Sequence, residues 1–101
     1  MNAVEIEQAI TDLAAQPFDA AEFPYAFLEA FGNKSTTIKR LRAGASNKSD
    51  VGGVLQTNNI HILTCDLGLV TETLKTLKNS SATSRAKARF VLATDGVDFE
   101  A

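Results

Sequence analysis

His61 and Cys65 are the only imidazole and the only thiol in the chain, and they raise the question of nucleophilic chemistry. A thiolate nucleophile needs a base within hydrogen-bond reach and surroundings that lower its pKa. Here the two residues lie four apart in Ile60-His61-Ile62-Leu63-Thr64-Cys65, a run that reads as a β-strand. Alternation puts both side chains on one face but two pleats apart, about 13 Å at 3.3 Å per residue. No proton passes directly over that distance, so the expectation is a buried Cys65 and a partly buried His61. Lys48-Ser49 closes a segment from Gly44 that invites comparison with a phosphate loop. That pattern requires a glycine where Asn47 stands, and it follows a strand rather than a helix. Gly52-Gly53 can still bring backbone N–H groups to a phosphate, although two glycines entering a strand more often mark a bulge or a close backbone approach. Carboxylates for acid–base or metal chemistry would have to converge from separate elements. The candidates are Asp50, Asp66, Asp95 and Asp98, each also a natural turn or cap residue.

The remaining chemical signal is ionic. Residues 1–33 carry six acids and no base, whereas residues 34–48 carry five bases (Lys34, Lys39, Arg40, Arg42, Lys48) and no acid. Five more bases (Lys75, Lys78, Arg85, Lys87, Arg89) fall in 73–89, and three acids close the chain. A formal net charge of −2 therefore hides two basic segments. A polyanion responds to local field more than to the sum. Two readings compete: solvated helix faces with bases near helix C-termini, where the dipole favours them, and a nucleic-acid contact surface.

Length and composition bound the rest. A chain of 101 residues, 45 % hydrophobic and 22 % charged, is expected to be one soluble globular domain. No apolar run approaches the ~18 residues of a membrane span, and Met1-Asn2-Ala3-Val4-Glu5 lacks the basic and apolar regions of a signal peptide. One Cys and one His cannot form a disulfide framework or a structural zinc site. The expected location is the reducing cytoplasm, where the sequons at Asn33, Asn47 and Asn79 stay unused.

Periodicity supplies the elements that must position these groups. Ile6, Ile10 and Leu13, with Ala3 and Ala9, predict an amphipathic helix over 3–15, stopped by Gln16-Pro17. Asp19 and Glu22 are spaced like a capping box, and Phe18 and Phe23 like its staple; a helix with Pro24 at its first position fits as well. The Phe23, Phe27, Phe31 stripe reads as core, with Gly32 as the left-handed cap. Ser35 is expected to cap a third helix, Thr36 to Arg42, which buries Ile38 and Leu41 and ends at Gly44. Val54-Leu55-Gln56 and Ile60 to Thr64 then flank Asn58-Asn59 as a hairpin. Val70, Leu74 and Leu77 predict a fourth helix, broken at Ser80-Ser81-Ala82. Phe90-Val91-Leu92-Ala93 and Val97-Asp98-Phe99 form a second hairpin around Asp95-Gly96. The fold class is α/β (α+β): a helical part over 1–44, then a β-β-α-β-β unit over 50–101 with a small mixed sheet. The last strand runs to Ala101, which suggests a piece of a longer polypeptide.

Three stretches carry a family resemblance: Phe23-Pro24-Tyr25-Ala26-Phe27-Leu28-Glu29-Ala30-Phe31-Gly32-Asn33-Lys34 with Thr37 to Arg42, Gly52 to Ile62, and Phe90 to Gly96. Together they resemble the N-terminus of large bacterial class I S-adenosylmethionine-dependent DNA methyltransferases, the MmeI-like restriction–modification polypeptides. The resemblance implies a parent adenine-N6 DNA methyltransferase using S-adenosylmethionine. The Gly-rich cofactor motif and the Asn/Asp-Pro-Pro-Tyr/Phe catalytic motif of such enzymes are absent from this chain, so no cofactor is expected within it. Several relatives begin with a nuclease of the PD-(D/E)xK type, whose core has the order read above. By position Asp50 would stand for its Asp, while Glu-x-Lys would fall at Thr64-Cys65-Asp66, which lacks both the carboxylate and the lysine. That implies a degenerate nuclease-like core without the metal site.

The leading expectation is a non-catalytic accessory domain that helps to hold duplex DNA or docks on the methyltransferase body. Lys39, Arg40 and Arg42 with Arg85, Lys87 and Arg89 would be its phosphate contacts, adding affinity without sequence choice. The alternatives are a metal-dependent nuclease with Asp50 and Asp66 as ligands, and a structural protein-interaction module. The expected partners are double-stranded DNA and the remainder of the parent enzyme, with no membrane.

Overall fold

The computed structural model describes residues 2–15 and 17–101. Helix α1 (Ala3–Ala14) is capped by Asn2, whose Oδ1 accepts from the Glu5 N–H at 2.9 Å, and it buries Ile6 and Ala9. Gln16, half of the expected Gln16-Pro17 stop, lies outside the described residues. Helix α2 (Phe23–Ala30) carries Pro24 in its first turn and no side-chain cap. The expected capping box is therefore replaced: Asp19 Oδ1 accepts from Ala21 N–H, its carbonyl accepts from Glu22 and Phe23 N–H, and the Glu22 side chain turns to Arg42. The Phe18–Phe23 contact does form, with ring centroids 5.7 Å apart. The Phe stripe is core, its centroids 6.0 Å (Phe23–Phe27) and 5.0 Å (Phe27–Phe31) apart.

Helix α3 (Ser35–Arg42) differs from expectation at its start: Ser35 is its first residue, and Lys34 occupies the cap without a side-chain bond. Its end is as expected. Gly44 is left-handed (φ 82°), and Gly44 and Ala45 N–H groups return to the Leu41 and Arg40 carbonyls, the bonding that a residue without Cβ makes easy.

Four strands follow in spatial order β1 (Val54–Leu55), β2 (Ile60–Thr64), β3 (Phe90–Thr94), β4 (Phe99–Glu100). The outer pairs are antiparallel and β2–β3 is parallel, with Ile60 opposite Phe90 and Thr64 opposite Thr94. A parallel pair needs a crossover. It is made by α4 (Val70–Asn79) and, after an extended Ser80, by α5 (Ser81–Arg85). α5 was not expected, since five residues are too few to show helical periodicity. The second hairpin also has a longer turn than predicted: Asp95 Oδ1 accepts from Val97 and Asp98 N–H, which delays β4 to Phe99.

Alternation divides the sheet. Ile60, Ile62 and Leu92 join Ile6, Phe23, Phe27 and Leu28 of α1 and α2 in the main core, while Leu63, Val91 and Ala93 pack on Val70, Leu74 and Leu77 of α4. Leu55 packs on Ala82 and Ala86 beside α5. The small mixed sheet is thus covered by helices on both faces, the expected α+β class. No helix among the described residues is long and apolar enough to cross a membrane.

Candidate nucleic-acid interface

The burial of Ile38 and Leu41 turns Lys39, Arg40 and Arg42 outward from α3. Arg42 already has an acidic partner. Its Nη1 and Nη2 donate to Glu22 Oε1 and Oε2 at 2.8 and 2.5 Å, and its guanidinium lies 4.2 Å from the centre of the Tyr25 ring. That fork holds the Glu22 carboxyl below the usual carboxylate range and raises the Arg42 guanidinium further. Arg42 therefore fastens α2 to α3, the only ion pair among the described residues. Lys39 shares a cavity of about 260 Å³ with Arg42, Glu29, Asn33 and Ser35, so an acid lines this part of the surface.

The second cluster has different surroundings. The β1–β2 turn passes over the segment after α5: Asn58 N–H donates to Ala86 O at 2.8 Å, and Arg89 and Phe90 N–H donate to Asn59 O at 2.8 and 3.1 Å. Arg85, Lys87 and Arg89, all exposed, are thereby distributed around the Thr57–Asn59 turn. Two of the turn-forming residues are left-handed, Asn58 (φ 62°) and Lys87 (φ 55°). Arg85 Nη2 donates to Ser81 Oγ at 3.2 Å, one turn back along α5.

Lys48 completes this arrangement. Its N–H donates to Leu55 O at 3.2 Å along the free edge of β1. Asn47 fixes the preceding loop, donating to Gly53 O at 3.0 Å and accepting from Ser49 and Leu55 N–H at 3.0 and 2.9 Å. Lys48 and Arg85, one from each basic segment, consequently line a single cavity of about 320 Å³ with Thr57, Ala82 and Ala86. Neither basic segment contains an acid, so the cavity combines two cations with no lining carboxylate. The six phosphate-contact candidates do not form one cluster: Arg85 meets Lys48 at this cavity, while Lys39 and Arg42 line another. Lys48 stands outside the six candidates, and linear charge density cannot show which basic segments meet.

For His61 and Cys65 the expected burial is reversed. His61 is 0 % exposed and Cys65 is half-buried, its Sγ directed at Thr94 O at 3.5 Å. His61 Nε2 lies 2.7 Å from Ser49 Oγ, and Nδ1 lies 2.8 Å from Thr83 Oγ1. Burial pushes the imidazole pKa down, against the pull of nearby Asp50.

The carboxylates are accounted for separately. Asp50 Oδ1 accepts from Ser80 Oγ at 2.5 Å, which with backbone donors lowers its pKa. Asp66 is exposed, and its carbonyl accepts from Leu69 N–H before α4 begins. Asp50 thus sits past one end of α4 and Asp66 before the other, separated by a ten-residue helix of about 15 Å. Asp95 accepts three backbone N–H bonds, from Gly68, Val97 and Asp98, which depress its pKa. Thr64 Oγ1 donates to Ala20 O at 3.2 Å. Among the described residues no group of three or more His, Cys, Asp or Glu is placed to hold a metal.

A family model described as MmeI, N-terminal domain, matches residues 1–101. No curated protein and no solved structure matches the chain.

Proposed function

Since the chain belongs to the MmeI N-terminal domain family, a domain of restriction–modification enzymes, we propose that it holds the phosphate backbone of duplex DNA for such an enzyme. The observation that carries this reading is the meeting of Lys48 and Arg85 at one cavity, with Lys87 and Arg89 on the same turn system and no carboxylate lining the cavity. Guanidinium and ammonium groups with no acidic partner recruit phosphate at little cost, because no ion pair has to be broken first. Phosphate contacts position a duplex and add affinity without reading sequence. Base readout and methyl transfer, with S-adenosylmethionine as the methyl source, then belong to other parts of an MmeI-like polypeptide. Lys39 and Arg40 are secondary contacts in this reading, and Arg42 is a structural fastener.

A second reading, docking against the remainder of such a polypeptide, is favoured by one feature. Exposed Phe18 and Val97 border a cavity of about 230 Å³ with Leu13, Phe23 and Phe99. This largely apolar site, which Asp19 and Glu22 also line, shares no lining residue with the cationic cavity, so one domain can serve both roles.

The test is fluorescence anisotropy of a labelled duplex of ~20 base pairs, titrated with the chain at two salt concentrations. Binding that weakens with salt, by a log–log slope of about −0.9 per phosphate contact, supports the phosphate-holding reading. Absence of binding at tens of micromolar protein in low salt overturns it and leaves docking as the role.

A further inference from the structure

The two walls of the cationic cavity are attached to a single buried side chain. Lys48 precedes Ser49, whose Oγ lies 2.7 Å from His61 Nε2. Arg85 lies two residues beyond Thr83 on α5, and Thr83 Oγ1 lies 2.8 Å from His61 Nδ1. Resting on the phosphate-holding reading, we propose that His61 is a positioning residue that sets the spacing of Lys48 and Arg85 by bridging the loop that carries one to the helix that carries the other. The hydrogen-bond directions follow from the third partner. Thr83 Oγ1 donates its only proton to Leu77 O at 2.9 Å, so it accepts from His61, and Nδ1 carries the ring proton. Nε2 is then the bare nitrogen and accepts from Ser49 O–H. Ser49 Oγ in turn accepts from Gly53 N–H at 3.1 Å. The two hydroxyls and both ring nitrogens of the chain Leu77–Thr83–His61–Ser49–Gly53 thus each have a bonded partner and one direction of donation. A neutral ring buried at 0 % exposure with both nitrogens bonded has one orientation, and a rigid strut follows from that. The charged group that acts on the ring is Asp50, which is turned to Ser80.

The test uses the 101-residue chain, four single variants and one double variant. Long-range imidazole nitrogen–proton NMR at pH 7 is expected to show a neutral ring protonated at Nδ1; protonation at Nε2 overturns the proposal. Thr83→Val removes the hydroxyl while keeping the shape, and Thr83→Ser restores it. In Thr83→Val, the Ser49 and Lys48 amide resonances on the far side of the ring are expected to shift, and in Thr83→Ser to return; unmoved resonances overturn the strut. For a labelled duplex, Lys48→Ala is expected to weaken binding several-fold in the parent and to have little further effect in the Thr83→Val background. A coupling of about twofold or more, the lower end for interacting residues, supports the proposal, and additive effects overturn it. If the parent does not bind duplex, the phosphate-holding reading fails by itself, and the amide shifts and the ring tautomer still decide whether His61 is the strut. If Thr83→Val does not fold, the tautomer and the Ser49→Ala variant, read at the Thr83 and Arg85 amides, decide in the same way.

Discussion

Replacing Gly53 by alanine probes the contact on which the cavity rests. An ideal Cβ at Gly53 would lie 2.3 Å from Ile62 O and 3.2 Å from Ile62 C. An unstrained carbon–oxygen contact is about an ångström longer, and both atoms belong to the backbone of β2, flanked by β1 and β3. The central strand cannot give way, so the segment entering β1 must. Moving it stretches the Gly53 N–H bond to Ser49 Oγ (3.1 Å) and the Asn47 bond to Gly53 O (3.0 Å), the same bonds that hold Lys48. Overpacking of this kind costs about 1–3 kcal/mol, and loosening two partly buried hydrogen bonds adds about 1 kcal/mol, so a loss near 3 kcal/mol is expected. At 4–8 °C per kcal/mol for a domain of this size, Tm falls by roughly 12–24 °C. Gly52 is the control: it is left-handed (φ 81°) with open space where a Cβ would sit. Alanine there costs only the backbone strain of about 1–2 kcal/mol. Thermal unfolding followed by circular dichroism ranks the two variants. A Gly53→Ala chain as stable as the parent, or less damaged than Gly52→Ala, would refute the close-approach reasoning.

Phe27→Ala should cost about 3–5 kcal/mol in urea unfolding, because the ring is 0 % exposed between Phe23 and Phe31 in the main core; a loss below about 1 kcal/mol would show that the stripe is not core. Stability should fall with acid in two stages. His61 prefers its neutral form in the fold, so its pKa lies below the ordinary 6.5 and the unfolded chain binds the extra proton more readily; that contribution is lost as pH drops from 6.5 through the folded value. Asp50 and Asp95 are depressed from 3.8, so their contribution is present above that pH and lost below it, and a stability flat from pH 7 to 5 would contradict the first stage. Arg42→Ala should speed amide exchange in α3, which its fork to Glu22 fastens to α2, while reducing duplex affinity less than Arg85→Ala does; the reverse order would restore Arg42 as a phosphate contact.

The sequence revealed faces better than partners. Ile38 and Leu41 predicted that Lys39, Arg40 and Arg42 point outward, yet nothing in their spacing shows that Glu22, on another helix, captures Arg42. The i, i+4 spacing of His61 and Cys65 put them on one face and too far apart to act together. Which of them is buried depended on α5, a helix too short to leave a periodic trace, which brings Thr83 to the ring. The start of α3 misled because a serine before an apolar repeat is the usual cap signal, whereas here Lys34 takes that position and Ser35 enters the first turn. The candidate site was half visible: two acid-free basic segments are plain in the sequence. Their meeting at Lys48 and Arg85 is produced by the parallel β2–β3 crossover and the hydrogen bonds of the Thr57–Asn59 turn, long-range contacts that charge patterning does not encode.

The salt dependence of duplex binding, compared between the parent and a Lys48→Ala/Arg85→Ala double variant, tests the central claim most directly. With Lys48, Arg85, Lys87 and Arg89 each on a phosphate, this site contributes about −3.6 to the log–log slope at about −0.9 per contact, and the slope of the double variant is expected to be shallower by about 1.8. Equal slopes for the two proteins would contradict the claim that this cavity holds the phosphate backbone.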